Sequence, residues 1–190
     1  MGKTAMQRWG FLLLAFVVML CAASWKPTVY GNDEASIKRY IVQEMGRKLG
    51  DHVELLAVED RGEDRIAVYR LEKKRPDDRY VIRFRRNDAG NYEQYGQLLK
   101  GLPMYGRRGI WSEQVQPWGS DRRLYGDKKM YYVVWSESAK LEELRVRVGS
   151  QPEQTARPGE VPSLTVLEFE APAGSFRTTS SFRDAEGNEL

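Results

Sequence analysis

The sequence predicts an α+β fold in which one N-terminal amphipathic helix packs on an antiparallel β-sheet, with a β-rich C-terminal half. Three observations support this prediction. Apolar residues between positions 32 and 49 recur at helical spacing. After Gly50 the chain changes to short β-prone runs, and polar turn residues separate these runs. One helix followed by strands is the element order of an α+β domain.

The helix is predicted over residues 32–49, with apolar side chains on one face and charged side chains on the other. Asn32, Asp33 or Ser36 can cap its start, and Gly50 can close its end. The apolar face comprises Ile37, Tyr40, Ile41, Met45 and Leu49.

The strands follow from β-prone runs bounded by turn-type residues, which indicate an antiparallel meander at the start. Residues 100–128 show no clear period, so we predict a long connection there with one short strand, 109–115. Residues 151–160 contain proline and glycine and are predicted to form a flexible loop. The other predicted strands are 53–58, 65–71, 80–84, 92–98, 130–135, 144–148, 164–169 and 176–182.

Two turns, residues 84–91 and 182–188, are similar in sequence and suggest two related halves, 32–100 and 129–190. The simpler interpretation is that Asp, Asn and Gly converge in unrelated turns for backbone reasons. We therefore predict a single domain over residues 32–190.

The first 31 residues have the pattern of an export segment. Lys3 and Arg8 precede an uncharged run over residues 9–25, whose most apolar part is residues 11–23. This part is short for a helix that crosses about 30 Å of hydrocarbon. A cleaved signal peptide and a retained membrane anchor therefore both stay open. In either case we expect the following domain outside the cytoplasm, secreted or anchored to the cell membrane.

Charge and cysteine content exclude several classes of protein. The chain has 30 basic and 27 acidic residues, and Lys3, Arg8 and Lys26 precede residue 32. Residues 32–190 are therefore formally neutral, which argues against nucleic-acid binding. Cys21 is the only cysteine. The predicted domain therefore has no disulfide framework and no thiol nucleophile.

Several short segments carry a resemblance beyond the apolar start of the chain. They are residues 37–41, the run 80–84 leading into 87–92, residues 169–172 and residues 182–184. In these segments the chain resembles a loose group of small exported or membrane-anchored proteins of unknown function from Gram-positive, spore-forming bacteria. The resemblance implies a location outside the cytoplasm and brings no active site with it.

We predict no catalytic residue, no metal site and no cofactor. His52 is the only histidine, whereas zinc sites and hydrolase triads need more partners. Paired carboxylates can run a glycosidase, but those near the predicted hairpin ends lie beside arginines, as on a solvated surface. These carboxylates are Glu59, Asp60, Glu63, Asp64, Asp77 and Asp78.

Arg83 and Arg85 alternate with Ile82 and Phe84 along one predicted strand. Because the side-chain period of a strand is two, we expect both arginines on the solvent face and the apolar pair inside. The functional hypothesis is an anion-binding patch for phosphate-rich wall polymer or lipid headgroups. The alternative is an ordinary charged face paired with acids. On either interpretation, replacing both arginines by glutamine should leave stability nearly unchanged.

Trp111 and Trp118 lie in an aromatic-rich stretch and are candidates for an interaction surface. Tyr131, Val133 and Trp135 alternate as the core face of a strand would.

These observations favour a non-catalytic envelope module that binds a partner protein or wall polymer. A hydrolase acting on envelope polymers and a membrane-tethered regulatory or sensory partner are the alternatives.

Overall fold

A computed structural model of the protein describes residues 28–45, 53–72, 75–96, 101–116, 128–172 and 174–190. Within these ranges the chain is mostly β-structure, with one helix, as the predicted α+β class requires. The elements are α1 Glu34–Met45, β1 Val53–Arg61, β2 Asp64–Leu71, β3 Arg75–Arg86, β4 Tyr92–Gln94, β5 Leu102–Arg107, β6 Ile110–Val115, β7 Lys129–Ser136, β8 Glu143–Val148, β9 Gln154–Ala156, β10 Ser163–Glu170 and β11 Thr178–Arg183.

Helix α1 begins with a reciprocal cap. Asp33 Oδ1 accepts a hydrogen bond from the Ser36 N–H at 2.7 Å, and Ser36 Oγ accepts one from the Asp33 N–H at 2.9 Å. Of the three predicted capping residues, Asp33 therefore caps the helix. Ile37, Tyr40 and Ile41 are buried against the sheet. The predicted helix extends to residue 49, past the described end at Met45.

Residues 100–128 contain more β-structure than predicted, because β5 and β6 form a hairpin there. We did not predict β5, because residues 100–128 show no clear period. Pro103 and Gly106 are also residues that are unfavourable inside strands. Its first half, residues 102–104, pairs with β3, whereas residues 105–107 pair with β6. Each half therefore needs backbone partners on one side only, so the N–H that Pro103 lacks is not required. The predicted loop 151–160 likewise contains strand β9, which pairs with β8.

The main sheet has the order β1-β2-β3-β5-β6-β7-β10, and β4 pairs with the end of β3. Every neighbouring pair is antiparallel. A second, three-stranded sheet has the order β11-β8-β9. Ala57 of β1 and Val166 of β10 lie at opposite ends of the main sheet, yet they belong to the same apolar cluster. The main sheet therefore curls on itself like an incomplete barrel.

Three apolar clusters fill the layers of this arrangement. The first lies between α1 and the outer face of β1 to β4. The second fills the inside of the curl. The third lies between the second sheet and the outer face of β6, β7 and β10. Consequently β2, β3 and β7 are buried on both faces, which an alternating polar–apolar pattern does not reveal.

The two similar turns also adopt similar geometry. The Asn87 N–H donates to the Asn91 carbonyl at 2.8 Å, and the Asp184 N–H donates to the Asn188 carbonyl at 3.0 Å. The Asn87 side chain also accepts a hydrogen bond from the Asn91 N–H, and the Asp184 side chain accepts one from the Asn188 N–H. This likeness is what turn chemistry alone produces in unrelated hairpins.

Candidate functional site

Strand β3 presents alternate side chains to two different apolar layers. Ile82 and Phe84 face the helix layer, as predicted. Val81 lies in the cluster inside the curl, so Arg83 and Arg85, which share its parity, project toward that side. The predicted register of this strand is therefore confirmed.

The predicted solvent exposure of Arg83 is wrong, since the residue is only 1% exposed. The side chain of Arg85 is 21% exposed. Both guanidinium groups bind one carboxylate, that of Asp64, which is also 1% exposed. The reason for the difference is the curl of the sheet, which turns the face opposite the helix into an interior.

The Asp64 carboxylate receives hydrogen bonds from three side chains. Arg83 donates through Nε at 2.9 Å and Nη2 at 2.8 Å, a bidentate pair. Arg85 donates through the same two atoms, both at 3.0 Å. The Tyr131 hydroxyl donates at 2.7 Å. Tyr95 completes the group, because the Arg85 guanidinium lies 4.4 Å from its ring centre.

The electrostatics of this cluster keep Asp64 ionised. Burial alone raises the pKa of the Asp64 carboxyl, but the hydrogen bonds from Arg83, Arg85 and Tyr131 outweigh burial and hold that pKa below its usual value. Burial also raises the pKa of the Tyr131 hydroxyl, which therefore stays protonated as a donor. An internal carboxylate thus occupies the guanidinium edges that an external phosphate would use in the proposed anion patch.

Trp111, on strand β6, is partly buried. Its ring lies 4.3 Å from the Arg79 guanidinium, and its Nε1 donates to the Asp77 carbonyl at 2.9 Å. A Cβ atom on Gly106 would lie 2.1 Å from the ring, so only glycine fits beneath it. Trp111 therefore packs within its own chain. The aromatic side chain that is exposed in this part of the chain is Tyr105, which is 79% exposed.

Arg79 shares its partner with a second tryptophan. Glu137 Oε1 accepts a hydrogen bond from Arg79 Nη2 at 2.6 Å and another from Trp135 Nε1 at 2.9 Å. Trp135, Tyr131 and Val133 are all buried inside the curl, as their alternation predicts.

Glu113 lies between Trp111 and Val115 on the strand face that points into the curl. Burial raises the pKa of the Glu113 carboxyl, and the hydrogen bond from the Gln114 N–H offsets this only in part. A carboxyl with a raised pKa differs chemically from Asp64, since it is more readily protonated.

A groove of about 500 Å³ runs along the outer edge of β10. It lies beside the end of β1 and beside β9 of the second sheet. Its lining is Arg61, Gln154, Ala156, Arg157, Gly159, Leu164, Thr165, Val166, Leu167 and Glu168.

Sequence analysis considered Asp64 only among the paired carboxylates of a glycosidase and Tyr131 only as a core residue. It did not identify Glu113 or the groove. Asp64 pairs directly with Arg85 across the β2–β3 ladder, so the cross-strand register was the signal that identifies it. Trp118 and His52 lie outside the described residues. Among the residues that are described, no group of acids, histidines or cysteines is arranged to hold a metal ion.

The helix in the described part of the chain is too short and too polar to cross a membrane. The expected export segment, residues 1–31, lies mostly outside the described ranges.

Comparison with known proteins finds no family model, no curated protein and no solved structure that matches the chain.

Proposed function

We propose that this protein is a non-catalytic module of the cell envelope, placed outside the cytoplasm, which binds a partner protein or wall polymer. The observation that carries the binding role is the groove along β10, where a strand edge meets open space. The location rests on the uncharged run over residues 9–25 behind Lys3 and Arg8, and on the resemblance to exported Gram-positive proteins. In this proposal α1 is the amphipathic first element of the exported domain, residues 32–190.

An unpaired strand edge carries a cost that supports a binding role. Such an edge offers free N–H and C=O groups to any other chain, and proteins cover or blunt edges that have no use. Part of the β10 edge is blunted, because Gln151 and Gln154 bind the backbone of Glu170 and Glu168. The part beside Leu164 and Val166 borders the groove instead.

Cross-linking in living cells tests this function. A photoreactive residue at Arg157, which lines the groove and is exposed, should give discrete adducts with an envelope protein or wall polymer. The matched control is the same residue at Asp88, in the exposed β3–β4 turn, which should give none. Protease added to intact cells should also remove a C-terminal tag. A tag that resists protease until lysis would contradict the location, and equal adducts from both positions would contradict the groove.

Glu113 supports the second candidate, a hydrolase acting on envelope polymers. A carboxyl whose pKa is raised by burial has the property of a general acid. On this hypothesis Glu113→Gln should abolish the release of soluble fragments from purified wall, whereas Glu168→Gln, on an exposed residue, should not. Under the binding-module proposal, the wild-type protein releases no fragments at all.

A further inference from the structure

Among the described strands, β10 pairs with a neighbouring strand on one side only. It pairs with β7 from Ser163, opposite Ser136, to Glu170, opposite Lys129. The opposite edge of β10 ends the main sheet and borders the groove. Strand β1, at the other end of the sheet, shares no ladder with it.

The direction of each backbone group on β10 can be assigned. Residues of an antiparallel strand send N–H and C=O alternately to the two sides. The Ala171 N–H donates to the Lys128 carbonyl, so the odd-numbered residues bond toward β7. The Glu168 carbonyl accepts from Gln154 Nε2 at 2.7 Å on the opposite side. Leu164 and Val166 share the parity of Glu168, so their N–H and C=O groups point to the groove.

The direction of the strands determines what can pair with this edge. Seven strands alternate in direction from β1 to β10, so the two end strands run the same way. They cannot join in the antiparallel pattern of the rest of the sheet. A strand that extends the antiparallel pattern of the sheet at this edge therefore runs opposite to β10.

The charges beside the groove favour one type of strand. Arg157 is exposed and lines the groove, and its charge also acts on Glu143, whose carboxylate binds Arg145. Arg61 lines the same groove and is paired with Glu59 of its own strand. Glu168, the acid in the lining, is paired with Lys129 at 2.9 Å. The lining of the groove therefore carries two basic side chains, Arg61 and Arg157, against one acidic side chain, Glu168.

We propose that the groove binds an extended segment of a partner protein, which carries an acidic side chain and adds to β10 as an antiparallel strand. The backbone groups of Leu164 and Val166 hold the main chain of this segment, and Arg157 holds its carboxylate. This inference rests on the proposed binding function and names the partner's chemistry.

The test uses the full chain, purified in mild detergent, and a labelled peptide of alternating threonine and valine with one central aspartate. The peptide should bind, and the matched peptide with lysine in place of aspartate should not. N-methylation of alternate amides should abolish binding when it blocks the peptide edge that faces β10, and should leave binding when it blocks the other edge. Arg157→Glu should reverse the preference, so that the lysine peptide binds better than the aspartate peptide. Binding that ignores N-methylation would overturn strand addition.

Two proline variants test the edge itself. Leu164→Pro removes an N–H that points to the groove and some apolar packing, so the aspartate peptide should bind about tenfold more weakly while the thermal midpoint falls modestly. Thr165→Pro removes an N–H that bonds to β7, so it should lower the thermal midpoint further. Unchanged peptide binding by a folded Leu164→Pro protein would overturn the proposal. If that variant does not fold, the N-methylated peptides decide.

The remaining outcomes separate this inference from the proposed function. Self-association that disappears in Leu164→Pro would show that a second copy of the chain fills the groove, which overturns the proposal. Cross-linking from residue 157 in cells can also be repeated in the Leu164→Pro protein. If the same adducts form, the protein is still a binding module, but strand addition is refuted. Loss of those adducts together with loss of peptide binding is the expected result.

Discussion

Asp64→Asn is expected to lower the free energy of unfolding by about 3–5 kcal/mol, because it leaves two buried or partly buried guanidinium groups without their counter-charge. Asp64 is 1% exposed and is the shared partner of Arg83 and Arg85. Urea denaturation followed by tryptophan fluorescence measures the change. The matched control is Asp60→Asn, since the Asp60 side chain is 48% exposed and pairs with Arg65 near the surface. It should cost about 1 kcal/mol or less.

The same variant should change how stability depends on pH. The folded-state pKa of Asp64 lies below its ordinary value, so the ionised cluster stabilises the protein fully above the unfolded-state pKa of about 4. This stabilisation is lost as the pH falls through the folded-state pKa. As the pH falls below about 4, Asp64→Asn should therefore lose less stability than the wild-type protein does. Parallel acid-denaturation curves for the two proteins would contradict the assignment.

The cluster also changes the expectation for the arginines. Replacing Arg83 and Arg85 together by glutamine should be strongly destabilising, because the buried Asp64 carboxylate would lose both of its guanidinium partners and keep the Tyr131 hydroxyl. The earlier expectation of nearly unchanged stability assumed solvent exposure, which the structure contradicts for Arg83.

Local periodicity was sufficient to predict the two faces of β3 but not what covers each face. The period of two separates Phe84 from Arg83 whatever the tertiary structure is. The burial of Arg83 depends on the curl of the sheet, which arises when β5, β6, β7 and β10 pair in sequence. No residue within β3 signals that pairing. The charge of Arg83 therefore led to the prediction of a solvent-exposed face, whereas this face lies in the interior of the fold.

The groove was harder to predict than the helix or the hairpins for a related reason. A capping residue or a turn residue acts on its own neighbours, so the sequence alone narrows the helix cap to Asn32, Asp33 or Ser36. A free strand edge is defined by the strands that do not pair with it. In the sequence, Leu164 and Val166 are ordinary apolar strand residues. Only the strand order shows that their backbone groups face a groove.

Phe84→Ala is expected to cost about 3–5 kcal/mol of stability, because it removes a fully buried ring from the layer between α1 and the sheet. The ring meets Tyr40 edge-on, with ring centres 5.4 Å apart. Urea denaturation measures the cost. Tyr105→Ala is the control, since it truncates an aromatic side chain that is 79% exposed and should change stability by about 0.5 kcal/mol or less.

A double-mutant cycle with Gly31 shows whether the Phe84 ring occupies this position. A Cβ atom on Gly31 would lie 2.6 Å from Phe84 Cδ1, so Gly31→Ala should destabilise the wild-type protein. In the Phe84→Ala background the ring is gone, and the added methyl group should cost much less, which gives a favourable coupling energy. Additive costs would mean that the two residues do not touch. A small cost for Phe84→Ala, together with a large one for the arginine pair, would mean that the register of β3 is shifted by one residue.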